Sequence, residues 1–141
     1  MRRIPSLRRG TISPSRAARA NLSTQSETPR VLAVGLGHMG APLSGRVAKK
    51  ISTAAFDLST DAVAKHAETW GSTPVRGVEQ LCELTQTARV VLTCLPNTNL
   101  TRATLATLRP ALRPGTVWID ATSGRAEDAS ALAEELWSQH E

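Results

Sequence analysis

Three glycines, Gly35, Gly37 and Gly40, stand in the stretch VLAVGLGHMGAPL, directly after a short apolar run and directly before a helical pattern. A backbone without side chains at those points suits an anion. Gly35 permits a tight turn, Gly37 lets the chain approach a diphosphate, and Gly40 allows a helix to pack closely on a strand. Unpaired N–H groups at the start of the helix, together with its dipole, favour the negative charge. Pro42 falls near that start, where its missing N–H does little harm. Asp57 closes the next apolar run, 22 residues after Gly35. A carboxylate there can accept both hydroxyls of an adenosine ribose and repels a 2′-phosphate, which favours NAD over NADP. The same side chain could instead cap the turn into Ser59–Thr60.

Two further stretches end apolar runs in polar turns. CLPN, Cys94 to Asn97, would face a ribose and its nicotinamide, or be an ordinary strand-ending Pro-Asn turn. DATSG, Asp120 to Gly124, offers two hydroxyls and a glycine that could hold a carboxylate or carboxamide. Alternatively Ser123 or Thr122 covers the first N–H groups of the following helix.

The elements that must position these turns alternate along the chain. Apolar runs at 31–35, 51–57, 71–75 and 89–96 read as strands, and RPGTVWID, 113–120, as a turn and then a fifth strand. Between and after them, helical patterns run over about 38–49, 60–69, a segment carrying Val78, Leu81, Cys82 and Leu84, about 100–108, and about 126–140. Strict alternation predicts a doubly wound parallel sheet with crossover helices, whose ligands bind beyond the carboxyl ends of the strands. Pro74 cannot donate to a central ladder, so the third strand is expected at an edge. Either Ser59 or Thr60 caps the second helix, whose apolar face is modest: Ala62, Val63 and Ala67. RVVLTCLP, continuous and β-branched, is expected to be central.

Charge is not spread evenly. Residues 1–29 carry six arginines against Glu27 alone and so hold the whole net charge of +5; the remainder is balanced. A balanced body offers no stripe for a phosphate backbone, and with no Tyr and one Phe the three tryptophans make no base-stacking platform, so no nucleic-acid partner is expected. Trp70, Trp118 and Trp137 read as core or interface residues. The leader, rich in Arg and Ser and lacking the apolar stretch of a secretory signal, fits a mitochondrial transit peptide with RANLSTQ, Arg19 to Gln25, as its processing region. A disordered tail and a misplaced start are the other readings, and the cytoplasm the other location. Two cysteines, Cys82 and Cys94, suit a reducing compartment. His38, His66 and His140 have no metal-site spacing, and no apolar run is long enough to span a membrane. His38 is expected to point outward from the loop, Met39 to pack beneath it, and Lys49, Lys50 and Lys65 to be solvated.

Taken together, GLGHMGAPL, FDLS, CLPN and DATSG, in that order, resemble the 3-hydroxyisobutyrate dehydrogenase family, the β-hydroxyacid dehydrogenases, over about residues 30–138. They are similar, more distantly, to the coenzyme domain of 6-phosphogluconate dehydrogenase. The resemblance implies a Rossmann-type sheet and hydride transfer between a short β-hydroxy acid and NAD(P), best known from valine catabolism in mitochondria. By it, Gly35, Leu36, Gly37, His38, Met39 and Gly40 match the dinucleotide loop, and Asp57 matches the residue that favours NAD where no basic pair adjoins it. Leu95 and Pro96 match the nicotinamide-ribose turn, Ser123 a hydroxyl that touches the cofactor, and Thr122, Ser123 and Gly124 the substrate-carboxylate segment. Two positions depart from the family: Ala126 stands where Pro is frequent, and Leu100 replaces a frequent polar contact.

The family's catalytic lysine, in a GxxGxGxxxKxxxN pattern on a later helix, has no counterpart here. The expectation is an NAD(P)-binding sheet incomplete at its C-terminus, without the helical second domain and silent by itself, to which a β-hydroxy acid binds only when that domain is supplied. The alternative is a non-enzymatic dinucleotide-binding module that docks to a full-length homologue; association with itself or such a relative stays open. A methyltransferase cofactor loop is a third reading, against which CLPN and DATSG speak.

Overall fold

The computed structural model describes residues 28–138. The leader up to Glu27, with its processing stretch, and His140 lie outside them. Among the described residues, five parallel strands, β1 (Val31–Val34), β2 (Thr53–Phe56), β3 (Thr73–Pro74), β4 (Val90–Thr93) and β5 (Val117–Asp120), alternate with five helices. The helices are α1 (Gly40–Ala48), α2 (Thr60–Trp70), α3 (Val78–Thr85), α4 (Thr98–Leu108), which runs into a 3-10 turn at Arg109–Ala111, and α5 (Ala126–Trp137). The sheet order is β3-β2-β1-β4-β5, the doubly wound parallel arrangement, with Pro74 on an edge strand as expected. Consecutive strands lead outward from β1 on one side, and the chain then crosses to the other, which opens a crevice at the carboxyl ends of β1 and β4.

Central parallel strands covered by helices on both faces bury both sets of side chains, hence their unbroken apolar runs, whereas the edge strand β5 leaves Val117 and Ile119 half exposed. All four residues of β1 and of β2 are buried. Leu32, Val34, Ala54, Phe56, Val91 and Leu108 form the main core with Val75 and Leu81, and Leu36, Ala55 and Val63 form a smaller one.

Register sets the site. Val34 pairs with Phe56 and with Thr93, and Thr93 pairs with Asp120, so β1, β2, β4 and β5 end flush. Gly35, Asp57, Cys94 and Ala121 are therefore neighbours in the first row beyond the sheet. The ladders are shorter than the apolar runs at 51–57 and 89–96, because Ile51 and Asp57 flank β2 outside it, while Leu95 and Pro96 turn away from β4. The first helix begins at Gly40 rather than His38, residues 37–39 forming the turn.

Two large apolar side chains of the helices lie at the surface. Val78 is half exposed on α3. Trp137 is 77% exposed. Helix α5 meets the body through buried Leu132 and through Glu135, which Arg109 reaches at 2.9 Å and Arg102 at 3.5 Å. Trp137 lies two residues beyond Glu135, about 200° around the helix, and so faces away. Among the described residues no helix is long and apolar enough to cross a membrane.

Candidate functional site

The three glycines do three different things. Gly35 has φ +96°, a conformation that L side chains rarely adopt, and a Cβ there would strike the carbonyl oxygen of Cys94. A Cβ on Gly40 would strike the carbonyl oxygen of Gly35, so α1 packs on the end of β1 only because that atom is missing. Around Gly37 a Cβ would meet nothing within 4 Å. Gly37 thus borders open space, and its lack of a side chain serves whatever enters.

Helix α1 starts without a side-chain cap and without an acidic residue in its first turn. Among the described residues, the N–H groups of Gly37, His38, Met39 and Gly40 find no backbone acceptor, whereas Ala41 N–H already bonds the Gly37 carbonyl at 3.0 Å. These orphan donors at the positive end of the helix suit an anion, so the loop fits a diphosphate.

Asp57 reaches across to this loop. Its Oδ2 accepts from Leu36 N–H at 2.8 Å, and its Oδ1 from Ser59 N–H at 2.8 Å. The capping bond leaves the carboxylate able to accept more, since it has about four lone-pair sites and two are taken. Ser59 is the N-cap of α2, accepting from Ala62 N–H at 3.2 Å. Leu36 serves from below: its N–H belongs to Asp57, and its side chain is buried in the smaller core.

A cleft of about 300 Å³ joins these groups, lined by Gly35, Gly37, His38, Met39, Gly40, Asp57, Cys94, Leu95 and Pro96. His38 is exposed at its rim as expected. Met39 is not beneath the loop but 74% exposed, because the space under the turn is already filled by the contact of Gly40 with Gly35. Beside Asp57 opens a slot of about 350 Å³ walled by Leu58, Val78, Leu81, Leu95, Leu100 and Ala103 among others. A cavity of about 590 Å³ on the other side of Leu58 includes Thr60, Val63 and Arg76. Leu100, which departs from the family's frequent polar contact, contributes apolar wall.

Burial, and then the negative Asp120, push the Cys94 thiol up, so it is a neutral S–H at neutral pH beside the glycine loop. The DATSG segment does not cap α5. That helix has Arg125 as its N-cap, with no side-chain bond. Thr122 Oγ1 instead accepts from Leu95 N–H at 3.0 Å. Gly124 lacks the Cβ that would strike Thr98 Oγ1. DATSG is thereby seated on the CLPN turn, with Ser123 and Gly124 exposed beside it. Lys49, Lys50 and Lys65 are exposed and line none of this cleft; Lys49 Nζ lies 4.8 Å from the ring centroid of Trp70.

Sequence reasoning missed His66, which is 2% exposed. It shares the helical stripe of Ala62, Val63 and Ala67, and that periodicity was the available signal. Ser44 Oγ donates to Gly40 O at 2.7 Å, so His66 Nε2 donates to Ser44 Oγ at 2.9 Å and to Ala41 O at 3.2 Å. Nδ1 then accepts from Ser72 Oγ at 2.7 Å. The neutral ring ties α1 to α2. Burial lowers its pKa, opposed by the bond to Ala41. With the folded value below the unfolded one, the unfolded chain binds more protons between the two, so stability falls as pH drops through about 6.5 and levels off below the folded value. Thermal melts at pH 7.5 and below 6 are expected to show this loss in the wild type. His66→Gln should flatten that pH dependence, and His66→Leu should cost about 1–3 kcal/mol at neutral pH by stranding the serine partners.

Residues 30–140 match the model of the family described as the NAD binding domain of 6-phosphogluconate dehydrogenase. No curated protein matches the chain. Among solved structures, 3-hydroxyisobutyrate dehydrogenase from Mycobacterium tuberculosis, studied with L-serine, superimposes with a TM-score of 0.68 at 28% identity over 81% of this chain. Arogenate dehydrogenase from Synechocystis gives 0.58 at 28% over 77%. The 3-hydroxyisobutyrate dehydrogenase of Salmonella typhimurium gives 0.63 at 23% over 78%, a likeness of fold. The match spans 38%, 37% and 38% of those three chains respectively.

Proposed function

The chain belongs to the family of the NAD binding domain of 6-phosphogluconate dehydrogenase, and from that premise we propose that it holds NAD, in preference to NADP, for hydride exchange with a short β-hydroxy acid. That it is an NAD(P)-binding domain of the kind found in 3-hydroxyisobutyrate dehydrogenase-like oxidoreductases follows from the family and its structural neighbours. The preference rests on one observation: the Asp57 carboxylate lies in the cleft, bonded to Leu36 of the glycine loop.

The orphan N–H groups of residues 37–40 would hold the diphosphate, and the remaining lone pairs of Asp57 the adenosine hydroxyls. A 2′-phosphate would meet that carboxylate, and its neighbour Leu58 brings no positive charge. The apolar slot bordered by Leu58 and Leu100 suits a flat base. Leu95 and Pro96 would take the nicotinamide ribose, with Ser123 beside it and Thr122, Ser123 and Gly124 as the carboxylate-holding segment. Bound NAD supplies a hydride acceptor; the chain's own residues bind and orient it. The arginine- and serine-rich leader supports the mitochondrial matrix as the location.

Fluorescence titration with NADH and NADPH tests the reading. The wild type is expected to bind NADH about tenfold more tightly, and Asp57→Ser to erase that difference mainly by weakening NADH. Arg76 borders the larger cavity near Thr60, so tighter binding of NADPH by the wild type is the result that would refute the preference.

A further inference from the structure

Beneath the CLPN turn lies a polar chain that neither dinucleotide contact nor helix capping explains. Thr93 and Thr101 are both fully buried, one at the end of β4 and the other in the first turns of α4. Valine has the same shape and would bury there without a hydroxyl to satisfy. Each hydroxyl is instead spent on a single oxygen. Asp120 Oδ1 accepts from Thr93 Oγ1 at 2.8 Å, from Thr122 N–H at 3.1 Å and from Thr101 Oγ1 at 3.5 Å. Thr93 in turn accepts from Trp118 Nε1 at 3.2 Å. Thr101 and Thr122 share a hydroxyl–hydroxyl bond of 3.0 Å, and Thr122 Oγ1 accepts from Leu95 N–H at 3.0 Å.

Protons can all run one way along this path: Leu95 N–H to Thr122, Thr122 to Thr101, Thr101 to Asp120. A line of donors ending on one carboxylate is mutually strengthening. Pro96 has no N–H, and Cys94 N–H is held by Val34 O at 3.0 Å as the ladder's continuation. Leu95 N–H is thus the donor by which the turn itself can be aimed.

We propose that Asp120, acting through Thr101 and Thr122, is the positioning residue that sets the Leu95–Pro96 turn for the nicotinamide half of the dinucleotide. The proposal rests on the binding function stated above. The carboxylate touches no ligand; it fixes the direction of the hydroxyl that fixes the turn. Its effect is confined to one half of the ligand, since the glycine loop is held separately by Asp57 and by Gly40.

The test compares NADH with ADP, which lacks the nicotinamide ribose, on the full chain. Thr101→Val is expected to raise the NADH dissociation constant roughly fivefold while changing that of ADP less than twofold, and Thr101→Ser to restore it. Asp120→Asn keeps the shape but removes the charge, and should show the same split if Thr101→Val does not fold. Equal weakening of NADH and ADP, no change in either, or failure of the serine to rescue overturns the positioning role alone. A wild type that binds neither ligand overturns the binding function, and this proposal with it.

Discussion

Gly40→Ala is expected to destabilise the fold by about 3 kcal/mol or more, a large share of the roughly 5–15 kcal/mol available to a domain of this size. The new methyl group would overlap the Gly35 carbonyl oxygen. Neither partner can retreat. Gly35 is held by its N–H bond to Phe56 O at 3.0 Å and backs onto Cys94. Helix α1 must therefore lift from β1, and Ser44, which bonds Gly40 O and His66, moves with it. Urea denaturation reads the effect as a lowered midpoint. An unchanged midpoint would mean that α1 does not sit this close to the strand.

Gly37→Val is expected to give the opposite signature. Its side chain would enter open space, so the unfolding free energy from urea denaturation should stay within about 0.5 kcal/mol of the wild type. The same two methyl groups would fill the place from which an anion reaches the N–H groups of residues 37–40. NADH affinity should fall about 100-fold, near 3 kcal/mol of binding free energy. Loss of binding without loss of stability separates the ligand-facing glycine from the fold-bearing one. A variant that binds NADH as the wild type does would place the ligand elsewhere, and one that unfolds would contradict the open space around Gly37.

The contrast between these two glycines shows what could be read in advance. Local chemistry was legible: an apolar run, a glycine turn and a helix start are neighbours in sequence, and so is Pro74 with its edge strand. Asp57 was legible because strand length fixes how far the next carboxyl end lies from the last. What depended on distant partners was not. His66 needed Ser44, 22 residues away, to reveal its role, and Thr122 needed Leu95, 27 residues away. Before the register was known, Thr122 was as good a helix cap as a partner for a turn. Met39 was misplaced because the close contact of Gly40 with Gly35 leaves no space beneath the loop, a fact of three dimensions. The trimmed ends of β2 and β4 likewise follow from pairing, since a residue leaves a strand where its neighbour's ladder stops.

An amide-resolved NMR titration of the full chain with NADH tests most directly whether the glycine loop and Asp57 form one dinucleotide cleft. Saturable shifts should be largest at Gly37, His38, Met39 and Gly40 and at Leu36 and Ser59, whose N–H groups Asp57 holds. Shifts confined to β5 and α5, or no saturable change anywhere, would contradict it.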